Sequence, residues 1–71
     1  MQPSLTRVFV NGSPLEIPTE SSLVDLLRLL QKNEASVATA VNEIFVPRTQ
    51  RSAIRLQEGD AIMTFEPITG G

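Results

Sequence analysis

The sequence contains no cysteine, histidine, tryptophan or tyrosine, and these absences exclude several kinds of function. Without cysteine the chain has no disulfide framework, which points to a reducing compartment. Without histidine its choice of ligands for a structural metal is poor, and nothing in it resembles an acid–base arrangement. We therefore expect no resident metal, no bound cofactor and no catalytic residue in this chain.

The charge is small as well, because the 71-residue chain has a net charge of −2 and no basic cluster. This argues against nucleic acid and anionic membranes as partners. No apolar run approaches the ~20 residues that a membrane-spanning helix needs. The first residues lack the pattern of a secretory signal, so we expect a cytoplasmic protein.

The first third of the chain predicts a β-hairpin followed by a helix. Residues 5–10 are β-branched and aromatic, Asn11 and Gly12 favour a hairpin turn, and the return strand at 15–17 stops at Pro18. Ser22 is a good N-cap with Asp25 as its capping-box partner. An apolar stripe follows at i, i+3, i+4 and i+7, and it consists of Leu23, Leu26, Leu27 and Leu30. Asn33 is expected to end the helix in the left-handed conformation.

The remainder predicts further strands. These are residues 37–42, a short run at 44–46 ended by Pro47, a brief edge strand at 54–56, and a last strand at 61–65. Glu58, Gly59 and Asp60 form a turn, which we prefer to a metal site. The order predicts an α+β fold, a mixed four- or five-stranded sheet with one main helix on one face. The first and last strands then lie side by side in the middle.

Two sets of residues are candidates for contact with partners. If the helix covers one face of the sheet, then Phe9, Met63 and Phe65 lie exposed on the other face, where they would form a binding surface. The alternative places these side chains in the core. Arg48, Arg51 and Arg55 either meet an acidic partner or, as we prefer, form a solvated edge.

The chain finishes on Gly70 and Gly71, which place an α-carboxylate at the end of a narrow backbone. A domain at 1–67 and a flexible tail at 68–71 are expected. A free carboxylate is a poor electrophile, so attachment at this position requires activation, for instance as an acyl-adenylate. A frayed end or a cloning remnant is the alternative.

Together these features resemble the ThiS family of sulfur carriers, which have a β-grasp, ubiquitin-like fold. The resemblance covers nearly the whole chain and rests on Asn-Gly at 11–12, Ser-Leu-Val-Asp-Leu-Leu at 22–27, Val-Asn-Glu at 41–43, Val-Pro-Arg at 46–48, Glu-Gly-Asp at 58–60 and the final Gly-Gly. The ending from Pro67 to Gly71 is also similar to that of the molybdopterin-synthase small subunit, MoaD. The Val-Pro-Arg segment favours ThiS.

The resemblance implies a carrier acted on by other enzymes. An E1-like adenylating enzyme of the ThiF or MoeB type would use ATP to activate Gly71. A sulfur donor, such as a cysteine desulfurase, would convert the adenylate to a thiocarboxylate for thiazole synthase. The expected contacts with partners are made by Gly70, Thr69, Ile68, Phe65, Met63 and Phe9. A MoaD-like subunit and a ubiquitin-like protein modifier remain the alternatives, although Lys32 is the only lysine on which a modifier could form a polymer.

Overall fold

The computed structural model describes residues 4–66. Its elements, in chain order, are strands β1 (Leu5–Val10) and β2 (Ser13–Pro18), helix α1 (Leu23–Leu29), strands β3 (Ala38–Val41) and β4 (Ile44–Val46), a 3₁₀ helix (Arg48–Ala53) and strand β5 (Ala61–Phe65). The expected tail at 68–71 and its boundary at residue 67 lie outside the described residues. Among residues 4–66, no helix combines the length and apolar character needed to cross a membrane.

The strands form one mixed sheet in the order β2-β1-β5-β3-β4. Strand β5 runs parallel to β1 and antiparallel to β3, and the two hairpins β1–β2 and β3–β4 form the outer parts of the sheet. The expected architecture, with the first and last strands adjacent in the middle, is confirmed. A parallel pair needs a long crossover connection. The chain between β1 and β5 supplies it, and α1 covers one face of the sheet.

Two-residue turns close both hairpins. Asn11 and Gly12 have φ of 51° and 88°, which confirms the predicted first turn. The second turn was not predicted: Asn42 and Glu43 have φ of 51° and 70°, so Asn42 belongs to a turn and not to the third strand. Positive φ at both central positions is the conformation whose twist matches that of the flanking strands.

The core lies between α1 and the covered face of the sheet. The buried cluster joins helix and strand side chains with one residue of the segment before β5: Val8, Ile17, Leu23, Leu26, Val46, Leu56 and Ile62. Leu27 is also fully buried, and Leu30 packs against the cluster at its margin. The predicted leucine stripe is therefore core.

The capping box at the start of α1 is confirmed, but the predicted end of the helix is wrong. The helix ends at Leu29, and Gln31, with φ of 60°, is the left-handed residue. Its N–H donates to the Arg28 carbonyl while the Lys32 N–H donates to the Leu27 carbonyl, which together form a Schellman motif. Asn33 instead accepts a hydrogen bond from the Ala35 N–H on its side-chain oxygen at 2.9 Å.

The edge strand expected at 54–56 is wrong as well. This segment leaves the sheet and pairs with the residues that lead into α1, through a single bridge between Ser22 and Arg55. Backbone bonds on either side of it, from the Leu23 N–H to the Ile54 carbonyl and from the Leu56 N–H to the Ser21 carbonyl, hold it there. Leu56 can then enter the core beside the helix, a tertiary contact that strand propensity does not encode.

The capping box predicts an acid-dependent loss of stability. Hydrogen bonds from the Ser22 backbone N–H, and then its hydroxyl, lower the pKa of Asp25 from its ordinary value. Because the folded-state pKa lies below the unfolded one, about 3.9, the carboxylate stabilises the fold above that pH. The contribution disappears as the pH falls through the folded-state pKa.

We therefore expect Asp25→Asn to be less stable than the wild type at neutral pH, with the difference shrinking below about pH 4. Urea unfolding at a series of pH values measures this. A difference that stays constant down to the lowest pH at which the protein folds would contradict the assignment.

Candidate functional site

The face of the sheet opposite α1 carries exposed apolar side chains on its two central strands. Phe9 on β1 is 38% exposed, and Met63 and Phe65 on β5 are 42% and 52% exposed. Their neighbours Val8 and Ile62 point to the other side and are fully buried. The predicted exposure of the three side chains is thus confirmed, and the alternative that places them in the core is wrong.

Phe45 on β4 extends this surface and was missed by the sequence reasoning. Phe45 and Met63 both pair with Ala40 of β3, so the three side chains lie in one row on the same face. Phe45 is 65% exposed. The sequence of residues 44–46 could have predicted this exposure. Successive side chains of a strand point to opposite faces, so a Val46 that points into the core requires a Phe45 that points outward. We call Phe9, Phe45, Met63 and Phe65 the apolar patch.

The apolar patch extends along β5, from Phe9 beside Ala61 at the start of the strand to Phe65 at its end. Phe65 is the last residue of β5 and pairs with Ala38 at the start of β3. The next residue, Glu66, accepts a hydrogen bond at 2.9 Å from the Lys32 ammonium group, which lies just beyond α1. The predicted site residues Ile68, Thr69, Gly70 and Gly71 lie outside the described residues. The described part of the site is therefore the surface that ends beside Glu66, the last described residue.

Two asparagines from the hairpin turns hold β5 in place. The Asn11 amide donates to the Thr64 hydroxyl at 2.9 Å and accepts from the Thr64 N–H at 3.0 Å. The Asn42 oxygen accepts from the Ala61 N–H at 3.0 Å, and its amide donates to the Asp60 carboxylate at 3.0 Å. Each side-chain amide thus supplies a hydrogen-bond partner to the backbone of β5 at a position where β1 or β3 has already ended in its turn. Sequence reasoning recognised Asn11 only as a turn residue.

The three arginines do not form one surface, and both interpretations offered for them are wrong for Arg51. Its side chain is only 3% exposed, whereas Arg48 and Arg55 are exposed. The Arg51 guanidinium donates to the Thr39 hydroxyl at 3.1 Å, and to two backbone carbonyls of the loop before β3, those of Glu34, at 2.9 Å, and Val37. Oriented oxygens thereby replace the water that a buried cation loses.

Arg51 is therefore expected to stabilise the fold, and its neighbours are not. Arg51→Ala leaves a hydroxyl and two carbonyls without their donor, which should lower the free energy of unfolding by about 2–4 kcal/mol. Arg48→Ala and Arg55→Ala are matched controls and should change it by about 0.5 kcal/mol or less. Chemical denaturation of the three variants compares them directly. Equal effects at all three positions would refute the structural role of Arg51.

The acidic residues before β5 act as turn residues, as predicted. Glu58 accepts a hydrogen bond from the Arg7 N–H at 2.9 Å, and Asp60 accepts one from the Gln57 N–H at 2.8 Å. Gly59 between them has φ of 86°, a left-handed conformation that suits glycine. Within residues 4–66, no three aspartate or glutamate side chains come together in a way that could hold a metal ion.

An open cleft of about 380 Å³ lies between the end of β2 and α1. Ile17 and Leu26 line it together with the polar side chains of Glu20, Ser21 and Asp25. Two of those polar groups are already engaged, since Asp25 caps the helix and the Ser21 hydroxyl donates to the Pro18 carbonyl. The hydrogen bonds of the Ser21 hydroxyl and the Asp25 carboxylate thus serve the local fold, and we take the apolar patch as the stronger candidate for function.

A five-stranded mixed sheet crossed by one helix, with its last strand central, defines a small β-grasp protein. The model of the ThiS family matches residues 6–71. A curated relative, the sulfur carrier protein ThiS of Escherichia coli K12, is 31% identical over 65 residues that span 92% of this chain and 98% of the relative.

The solved structure of the thiamine biosynthesis protein ThiS from Geobacter metallireducens superposes with a TM-score of 0.78 at 26% identity. The match covers 93% of this chain and 100% of the chain from Geobacter metallireducens. The chain belongs to the ThiS family. The predicted β-grasp fold is confirmed, and family membership supports a role as a sulfur carrier in thiamine biosynthesis.

Proposed function

We propose that Gly71 of this protein is adenylated by an E1-like enzyme with ATP, converted to a thiocarboxylate, and used by thiazole synthase as a source of sulfur. The observation that supports this most is the extent of the family match, which runs to residue 71 and so includes the Gly-Gly end. The relative from Escherichia coli bears the name of a sulfur carrier.

The residues of the chain agree with this chemistry. The chain contains no cysteine, so no thiol or persulfide can form on a side chain, and the C-terminal carboxyl group is the available attachment point. Adenylation makes AMP the leaving group at the Gly71 carbonyl carbon. The persulfide of a cysteine desulfurase or a similar donor then displaces AMP and forms an acyl disulfide at Gly71. A second thiol, on the partner or in solution, cleaves the S–S bond, which releases the thiocarboxylate and leaves that thiol joined to the donor cysteine as a disulfide.

Catalysis of both steps is assigned to the partner enzymes. The described residues do not place a nucleophile beside a general base, and the chemistry is proposed for a tail whose last two residues have no side chain. The protein then acts as a substrate and carrier rather than as an enzyme. A narrow backbone at Gly70 and Gly71, preceded by Ile68 and Thr69, suits entry into a confined active site.

Docking of the partners is assigned to the apolar patch. Through Phe65 it adjoins Glu66, the last described residue, so a partner that binds Phe9, Met63 and Phe65 would lie next to the start of the tail. Apolar side chains that are exposed in the free protein and clustered on one face are typical of interaction surfaces. The patch would hold the carrier while the tail reaches the site of chemistry.

The alternatives receive less support. The ending that is similar to MoaD suggested a molybdopterin-synthase subunit. The family whose model matches is ThiS, however, and both relatives described above bear the name ThiS. A protein modifier that forms polymers would need Lys32, whose ammonium group is paired with Glu66 at 2.9 Å.

The first prediction from this proposal concerns the covalent state of Gly71. Incubation with an adenylating enzyme of the ThiF type, ATP and a sulfur source should raise the intact mass by the difference between one sulfur and one oxygen atom. Fragmentation should place the change on Gly71. A variant that lacks Gly71 is the control and should not be charged. Sulfur found on an internal residue would refute the proposal.

The second prediction separates docking from stability. Phe65→Ala should leave the melting temperature nearly unchanged, because removal of a half-exposed side chain costs about 0.5 kcal/mol or less. It should weaken the complex with the adenylating enzyme or thiazole synthase about tenfold or more, since a buried aromatic anchor often contributes 2 kcal/mol. Thermal melts and a calorimetric titration provide the two measurements.

Leu29→Ala is the matched control for this experiment. Leu29 is 56% exposed against 52% for Phe65, but it lies on α1 on the opposite side of the molecule. It should alter neither stability nor binding appreciably. If Phe65→Ala lowered the free energy of unfolding by the 3–5 kcal/mol of a core aromatic, or if both variants weakened the complex equally, docking by the patch would be refuted.

A further inference from the structure

The two edges of the sheet differ in how well they resist pairing with another strand. Strand β2 carries Pro14, Glu16 and Pro18, and prolines and charges are common means of blocking an exposed edge. Strand β4 consists of Ile44, Phe45 and Val46, of which the first two are 69% and 65% exposed. Within the strand itself β4 therefore carries neither a proline nor a charge, although it is only three residues long.

The backbone of β4 has polar groups directed away from the sheet. Val41 and Ile44 flank the two-residue turn, which makes them a hydrogen-bonded pair with β3. Bonded and non-bonded pairs alternate along antiparallel strands, so the next pair, Ala40 and Phe45, is non-bonded. The N–H and C=O of Phe45 therefore point outward from the sheet. They offer one donor and one acceptor to an added strand.

The charges that flank β4 indicate which strand fits. Glu43 precedes the strand and Arg48 follows it, and both are exposed. Among residues 4–66 neither side chain takes part in an ion pair. An edge with an acid at one end and a base at the other is complementary to itself when the second strand runs antiparallel. A parallel copy would instead place like charges together.

We propose that β4 pairs antiparallel with β4 of a second copy of this chain, about a two-fold axis at Phe45. Each Phe45 N–H then donates to the Phe45 carbonyl of the other copy. Glu43 lies opposite Pro47 of the other copy and next to its Arg48, so the axis generates two ion pairs. Pro47 has no N–H, and the pairing ends there.

The interface is small, and the dimer is accordingly weak. A three-residue edge buries much less than the roughly 1,200 Å² of a stable specific interface. We expect a dissociation constant of about 0.1–1 mM, with exchange between monomer and dimer. Because Phe45 belongs to both the β4 edge and the apolar patch, self-pairing and enzyme docking compete for this side chain. The proposal itself does not depend on sulfur chemistry.

Charge reversal tests the pairing. Sedimentation equilibrium from tens of micromolar to about 2 mM measures association over the expected range. Glu43→Lys and Arg48→Glu should each weaken it about fivefold or more, because each places two like charges next to each other. The double variant restores opposite charges and should recover association close to that of the wild type. Ser13→Lys, on the β2 edge, is the matched control and should leave it unchanged.

Amide chemical shifts locate the interface in the same samples. Shifts that depend on concentration should be confined to residues 43–48 and should vanish in Phe45→Lys, which keeps its melting temperature because Phe45 is exposed. Three results would overturn the proposal: a monomer at all concentrations, association that survives the single charge reversals, or shifts centred on β2 or β5. Shifts at 44–46 that appear only after addition of the adenylating enzyme would assign the edge to that enzyme and also overturn it.

Discussion

The position of β5 in the middle of the sheet is the constraint on which the rest of this structure depends. A central strand needs backbone partners on both sides, and β5 obtains them from β1 and β3. Where those strands turn away, the amides of Asn11 and Asn42 supply the missing partners at Thr64 and Ala61. The chain that follows therefore leaves the sheet from a strand anchored on both edges, and not from a loose margin.

The alternation of side chains along this strand separates structural from functional surfaces. Ile62 is fully buried under α1, while Met63 and Phe65 point to the open face. One strand thus secures the core and presents the apolar patch. Since the patch lies on paired strands, its side chains keep a defined arrangement, while the proposed function places the chemistry at Gly71. Recognition and chemistry are assigned to different parts of the same short chain.

A polar core supports the strand next to β5. Arg51 joins the 3₁₀ helix to Thr39 of β3 and to the loop that precedes it. The Thr39 hydroxyl in turn donates to the Val46 carbonyl at 3.1 Å, so β4 is connected to the same group. The loop before β3 is not paired with another strand. The Arg51 guanidinium, which has several N–H donors, bonds the carbonyls of this loop in place of a neighbouring strand. The three oxygens that accept hydrogen bonds from Arg51 explain how so small a domain tolerates this buried charge.

The sequence by itself determined the order of most elements, the first hairpin turn, the start of α1, the leucine stripe and the alternation that separates Phe9, Met63 and Phe65 from Val8 and Ile62, although it left open which of the two faces is exposed. Each of these follows from a pattern within a few neighbouring residues. Only the tertiary structure decided the burial of Arg51, the departure of 54–56 from the sheet, the side-chain bonds of Asn11 and Asn42, and the row that joins Phe45 to Met63. These features depend on contacts between residues distant in the chain, and local periodicity and turn preference carry no information about which distant groups will meet.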